Sequence, residues 1–177
     1  MDIDPVQLQA FIAKRRDAQN FGFGLLGGII GAAIGAALWG GITAAANGNQ
    51  IGFMAIGVGF LVGFGVRTLG HGIDKIFGVA GAVLSLAGCV AGNLLAVMII
   101  YANQQNMPFA ELAARMTPSA AWSMLTDTFN FMDVVFYGIA LYFGYTYSFH
   151  KITPDELQTL APAPAAPAAA PPAAPGG

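Results

Sequence analysis

At 177 residues, 56% apolar, 9% charged and with a net charge of −2 at neutral pH, the chain has too little charge to cover a soluble globule of its size. The slight acidity removes any electrostatic case for nucleic-acid binding. The single cysteine, Cys89, allows neither an intramolecular disulfide nor a thiolate zinc site. The apolar residues fall in long unbroken blocks, which points to a polytopic all-α membrane protein with four transmembrane helices and short amphipathic surface helices.

Residues 1–20 form an N-terminal cytoplasmic segment. Asp4 suits a helix N-cap, Pro5 the first helical position, and Gln7 completes a capping-box pattern. Leu8, Phe11 and Ile12 share a face and are followed by Lys14, Arg15 and Arg16. The pattern fits an amphipathic helix on an anionic leaflet or a cytoplasmic extension of the first span.

The first apolar block, 21–46, contains no ionisable residue and exceeds the roughly 20 residues that a helix needs to cross the hydrocarbon. A cleaved signal peptide ending near Thr43–Ala46 is the rival reading. The block is longer than the about 7–15 apolar residues of such a peptide. Gly27, Gly31 and Gly35 repeat every four residues here, beside Gly24 and Gly28. Small residues at that spacing let helix backbones approach closely, either within the bundle or against a partner.

A polar turn at 47–50 leads to the second span, 51–69, where Gly59 and Gly63 carry the same spacing and Arg67 extends the stripe. Asp74 and Lys75 follow in the 70–75 turn, close enough in sequence to form a charge cluster with Arg67. The default role of the three is to fix topology; recognition of a lipid headgroup or anion is the alternative. The third span, 76–102, carries Gly88, Gly92 and the intramembrane Asn93.

The outer loop, 103–130, holds two expected short helices opened by Pro108 and by Pro118, the latter capped by Thr117. Phe109, Leu112 and Met116 share one face of the first, and Trp122, Leu125 and Phe129 one face of the second. They fit a lid or partner platform, or simple interfacial packing. The fourth span, 131–149, holds Asp133, the one carboxylate inside a span, followed on its face by Tyr137 and Gly144. Such a residue marks a functional candidate, although Asp133 lies near the span end, where it can bond Asn93, Tyr137 or water. Residues 151–177 form a Pro/Ala-rich tail, expected to be cytoplasmic and disordered.

Lys14, Arg15, Arg16, Arg67, Lys75 and Lys151 fall on one side of a four-span arrangement and only Arg115 on the other. Both termini are therefore expected to be cytoplasmic. His71 and His150 have no second metal ligand at suitable spacing, and no nucleophile motif or acidic cluster appears. No enzyme activity, metal or cofactor is expected.

The run Gly59-Phe-Leu-Val-Gly-Phe-Gly-Val-Arg67, then Gly70-His-Gly-Ile-Asp-Lys75 and Phe77-Gly78, with Leu38-Trp39 and Met132-Asp133, resembles a family of uncharacterised small bacterial four-helix membrane proteins. The likeness covers 21–150 and implies a bacterial inner-membrane setting without assigning site roles. The expectation is a non-enzymatic membrane scaffold or accessory subunit packing through glycine-lined faces, or alternatively a small oligomeric transporter or channel. Its expected partners are membrane lipids and a second copy or another membrane protein, not nucleic acid.

Overall fold

The computed structural model describes residues 4–46 and 53–158. Its regular structure is helical throughout: α1 (Pro5–Asp17), α2 (Phe21–Ala45), α3 (Met54–Gly70), α4 (Lys75–Gln104), α5 (Phe109–Arg115), α6 (Pro118–Thr128), α7 (Phe131–Tyr147) and α8 (Pro154–Gln158). The described residues divide into two compact units, one within Arg15–Lys151 and a smaller one made of residues 4–14 with 152–158.

In the smaller unit the Asp4 carboxylate accepts the Val6 N–H at 2.9 Å, as an N-cap should. Leu8, Phe11 and Ile12 are half-buried among mostly exposed neighbours. The stretch assigned by composition to a disordered tail begins with a helix. The Thr153 N–H donates to the Glu156 carboxylate at 3.1 Å and the Glu156 N–H to the Thr153 hydroxyl at 3.4 Å, a reciprocal cap that starts α8. Residues 159–177, which include the Pro/Ala run from Ala161, lie outside the described residues, as does the 47–50 turn.

The larger unit is a bundle in which α2 and α7 stand on opposite sides of an adjacent α3–α4 pair. α2 packs on α3 and α4, and α7 packs on the same two helices. Local chemistry sets the boundaries. Asn20 caps α2 through the Phe23 N–H at 3.0 Å, and Thr117 with Pro118 opens α6. Asn130 and Asp133 form a full capping box at the start of α7. α3 stops where His71 adopts a left-handed conformation with φ 49°. α7 ends at Tyr147 rather than 149, because the backbone turns so that the His150 N–H can donate to the Gly72 carbonyl at 2.8 Å.

α2 and α4, with 25 and 30 residues, are long and apolar enough to cross a membrane. α3 and α7 each have 17 residues, or about 26 Å at 1.5 Å per residue, somewhat less than a hydrocarbon core of about 30 Å. Large apolar side chains remain on the outside of the bundle, among them Ile29, Ile30, Ile34 and Leu38 on α2, Phe60 and Phe64 on α3, Val79 and Val83 on α4, and Val134 on α7.

Glycines occupy every contact around the ring. A methyl group at Gly27 would run into the Gly65 carbonyl and one at Gly65 into the Gly27 carbonyl, so α2 and α3 meet backbone to backbone. A Cβ at Gly31 would lie 2.5 Å from the Leu61 carbonyl oxygen, and one at Gly35 3.1 Å from Val58. Gly59 faces Ala140 and Gly63 faces Tyr147, which seats α7 on α3. Gly88 faces Ala32 and Gly92 faces Trp39 and Ala36, which seats α4 on α2. Gly81 and Gly144 oppose each other where α4 meets α7. Ser85 and Ser148 flank that crossing, each returning its hydroxyl to its own helix, at the Gly81 and Gly144 carbonyls respectively.

Candidate functional site

Polar chemistry gathers at the two ends of the bundle. At the loop end, α5 and α6 lie against α4. Leu112 of the first expected face is buried with Met98 and Ala102 of α4, and Met107, Met116 and Met124 pack around them. Trp122, Leu125 and Phe129, the expected α6 face, line a cavity of about 310 Å³ with Val90 of α4 and Tyr137 of α7. Trp122 is 70% exposed at this cavity.

Just inside that end, Asn93 is fully buried and its amide donates to the Tyr137 hydroxyl at 3.3 Å. Asp133 is buried as well, but its partner is neither of these. Its carboxylate accepts the Asn130 N–H at 2.9 Å, completing the capping box, so a helix-starting role accounts for this carboxylate. The buried Trp39 indole N–H and Thr43 hydroxyl of α2 find no hydrogen-bond partner among the described residues. Sequence reasoning missed both, since a tryptophan and a threonine in an apolar block read as ordinary packing.

The other, basic end is organised by residues far apart in the chain. Asp74 does not pair with Arg67 or Lys75, as sequence proximity suggested. Its carboxylate takes the Arg16 guanidinium at 3.1 Å and the Gln19 amide at 2.9 Å. The Gln19 carbonyl accepts the N–H groups of Ile73 and Asp74 at 2.8 and 3.1 Å, and the Asn20 N–H donates to the Gly70 carbonyl at 2.9 Å. The Gln19 hydrogen bond, aided by Arg16, holds the Asp74 carboxyl below the usual carboxylate range. Arg67 instead reaches across to the segment after α7, its guanidinium 3.0 Å from His150 Nδ1. Lys75 is exposed at the start of α4.

Of the expected site residues, the structure brings together Asn93 with Tyr137 and the glycines with facing backbones, and it separates Arg67 from Asp74. Gly65, Gly81 and Gln19 were not singled out in advance, and Arg16 was named only for its charge and Gly144 only as a neighbour on the Asp133 face. Gly81 and Gly144 alternate with serine at four-residue spacing, a signal that small-residue spacing could have supplied. Among the described residues no three His, Cys, Asp or Glu side chains gather as a metal site. Comparison of the chain with family models, curated proteins and solved structures finds no match.

Proposed function

We propose that the chain is an integral membrane scaffold or accessory subunit without catalytic activity, crossing a bacterial inner membrane four times through α2, α3, α4 and α7, with both termini cytoplasmic. The observation that carries this reading is how the bundle divides its side chains. Most of its glycines meet a facing helix inside, while many isoleucine, leucine, valine and phenylalanine side chains are left outside. A water-soluble monomer rarely exposes so much contiguous apolar surface, whereas lipid tails accept it without cost. The slightly short α3 and α7 are tolerable, because local thinning of the bilayer and snorkelling of Arg67 absorb a few ångströms of mismatch.

Spending the glycines internally moves partner contact elsewhere than the glycine stripes. The loop-end platform is the better surface: an exposed tryptophan over an apolar cavity is the kind of anchor that dominates protein interfaces. The test is purification in mild detergent, with size measured by light scattering. A complex with a second copy or a membrane-protein partner is expected, and Trp122→Ala should disrupt it without loss of fold. Monomeric protein with nothing associated at any detergent concentration sinks the scaffold reading.

A second reading, a small oligomeric transporter or channel, is favoured by the buried Trp39, Thr43 and Asn93 polar groups in the loop-end half of the bundle. Solute flux in liposomes separates the two readings.

A further inference from the structure

At the basic end, Arg15, Phe64, Arg67, Thr68, His71 and His150 line a cavity of about 490 Å³. We propose that this cavity binds the phosphate of an anionic phospholipid. Two guanidinium groups, two imidazoles and a hydroxyl converge there from α1, the end of α3 and the segment after α7. Arginine presents a planar fork that matches phosphate oxygens in pairs. The contact of the Arg67 guanidinium with His150 uses one of its five donors.

The backbone that carries Arg67 and His150 is also fixed before any ligand arrives. The His150 N–H is bonded to the Gly72 carbonyl and the Asn20 N–H to the Gly70 carbonyl, so the ends of α3 and α7 and the start of α2 are fixed to one turn. Asp74, the carboxylate of that turn, is taken up by Arg16 and Gln19. Preorganisation of this kind lowers the ordering cost of binding.

The lining also selects between a lipid and a free phosphate. Phe64 is 56% exposed at the cavity, and Phe60 stacks on it one turn further along α3, with centroids 6.2 Å apart. Phe60 in turn meets the edge of Tyr147 at 5.3 Å. This aromatic track leads from the basic cavity along the flank of the bundle, where acyl chains attached to a bound phosphate would lie. A soluble anion would make no use of it.

This inference rests on the membrane reading given above, so retention of each protein in carbonate-washed membranes is checked first and separately. The full chain, delipidated in mild detergent, is then unfolded thermally with dioleoyl phosphatidylglycerol, with dioleoylglycerol, which has the same chains and no phosphate, or with inorganic phosphate. Phosphatidylglycerol should raise the midpoint by about 5 °C or more when it is a hundredfold above its dissociation constant. Dioleoylglycerol should raise it little, and Arg67→Gln should lose at least half of the phosphatidylglycerol shift. Arg15→Gln carries the same comparison should Arg67→Gln fail to accumulate. An equal shift from millimolar inorganic phosphate assigns the site to a free anion and overturns the lipid as its source. Equal shifts with both lipids, no shift with any addition, or an undiminished shift in the variant overturns the phosphate site itself.

Discussion

A methyl group added at Gly65 would strike the Gly27 carbonyl, whereas one added at Gly57 on the same helix would meet nothing within 4 Å, and the same is true of Gly138 on α7. The three glycines look alike in the sequence, and only the facing backbone distinguishes them. Gly65→Ala forces two helices apart and should cost about 1–3 kcal/mol, the range for overpacking a tight contact. Gly57→Ala and Gly138→Ala relieve the helical penalty of glycine and should gain about 0.5–1 kcal/mol. Gly31→Leu, set against the Leu61 carbonyl, should be the worst tolerated, while Leu26→Ile, at a half-exposed position on the outer face of α2, should be nearly neutral. Thermal unfolding in detergent ranks the five variants. Similar midpoints for Gly65→Ala and Gly57→Ala would contradict the backbone contact between α2 and α3. The four-residue glycine spacing thus announced close packing from sequence alone, but not which helix each glycine faces. That depends on residues such as Gly65 that stand outside the repeat.

Element boundaries were legible wherever the controlling chemistry is local. Thr117 before Pro118 and the apolar block after Asn20 both mark starts that the structure keeps. The short α8 was missed because a five-residue helix held by Thr153 and Glu156 leaves little signal beside a run of proline and alanine. The grip on the α3–α4 turn was illegible for a different reason. Arg16 and Gln19 precede Asp74 by 58 and 55 residues, so no short-range pattern relates them. This grip makes a pH prediction with a definite sign. The folded-state pKa of Asp74 is depressed, so its contribution is fully present above the usual carboxylate value of about 4 and lost as pH falls through the lower folded value. Thermal midpoints followed downwards from pH 7 should therefore hold until about pH 4 and then drop, and Asp74→Asn should remove part of that drop. Gln19→Ala, which strands the Ile73 and Asp74 N–H groups as well, should cost about 1–3 kcal/mol at neutral pH. A Gln19→Ala protein as stable as the parent would show that the turn is held by other means.

For the whole molecule, the question left by helix lengths of 25, 17, 30 and 17 residues is whether all four bundle helices cross the bilayer. The bundle geometry ties their directions together. α2 begins, α3 ends, α4 begins and α7 ends at the end that carries Asn20, Gly70, Asp74 and His150, since hydrogen bonds join Asn20 to Gly70 and His150 to Gly72. If α2 and α4 cross, then α3 and α7, packed against them, lie at the same depth. On the four-span reading proposed above, the lysine and arginine bias then predicts a cytoplasmic location for that end. Cysteine labelling reads this out, since the native Cys89 is fully buried and should stay silent. Gly72 is a poor probe position, because a side chain there would collide with the Phe77 ring. Ser119 and Lys75 are exposed and serve instead. Ser119→Cys should react with an impermeant maleimide added to intact cells, and Lys75→Cys only after the membrane is opened. Reaction of Lys75→Cys in intact cells would place the basic end outside, against the charge bias, and with it the cavity formed by Arg15, Arg67 and the two histidines.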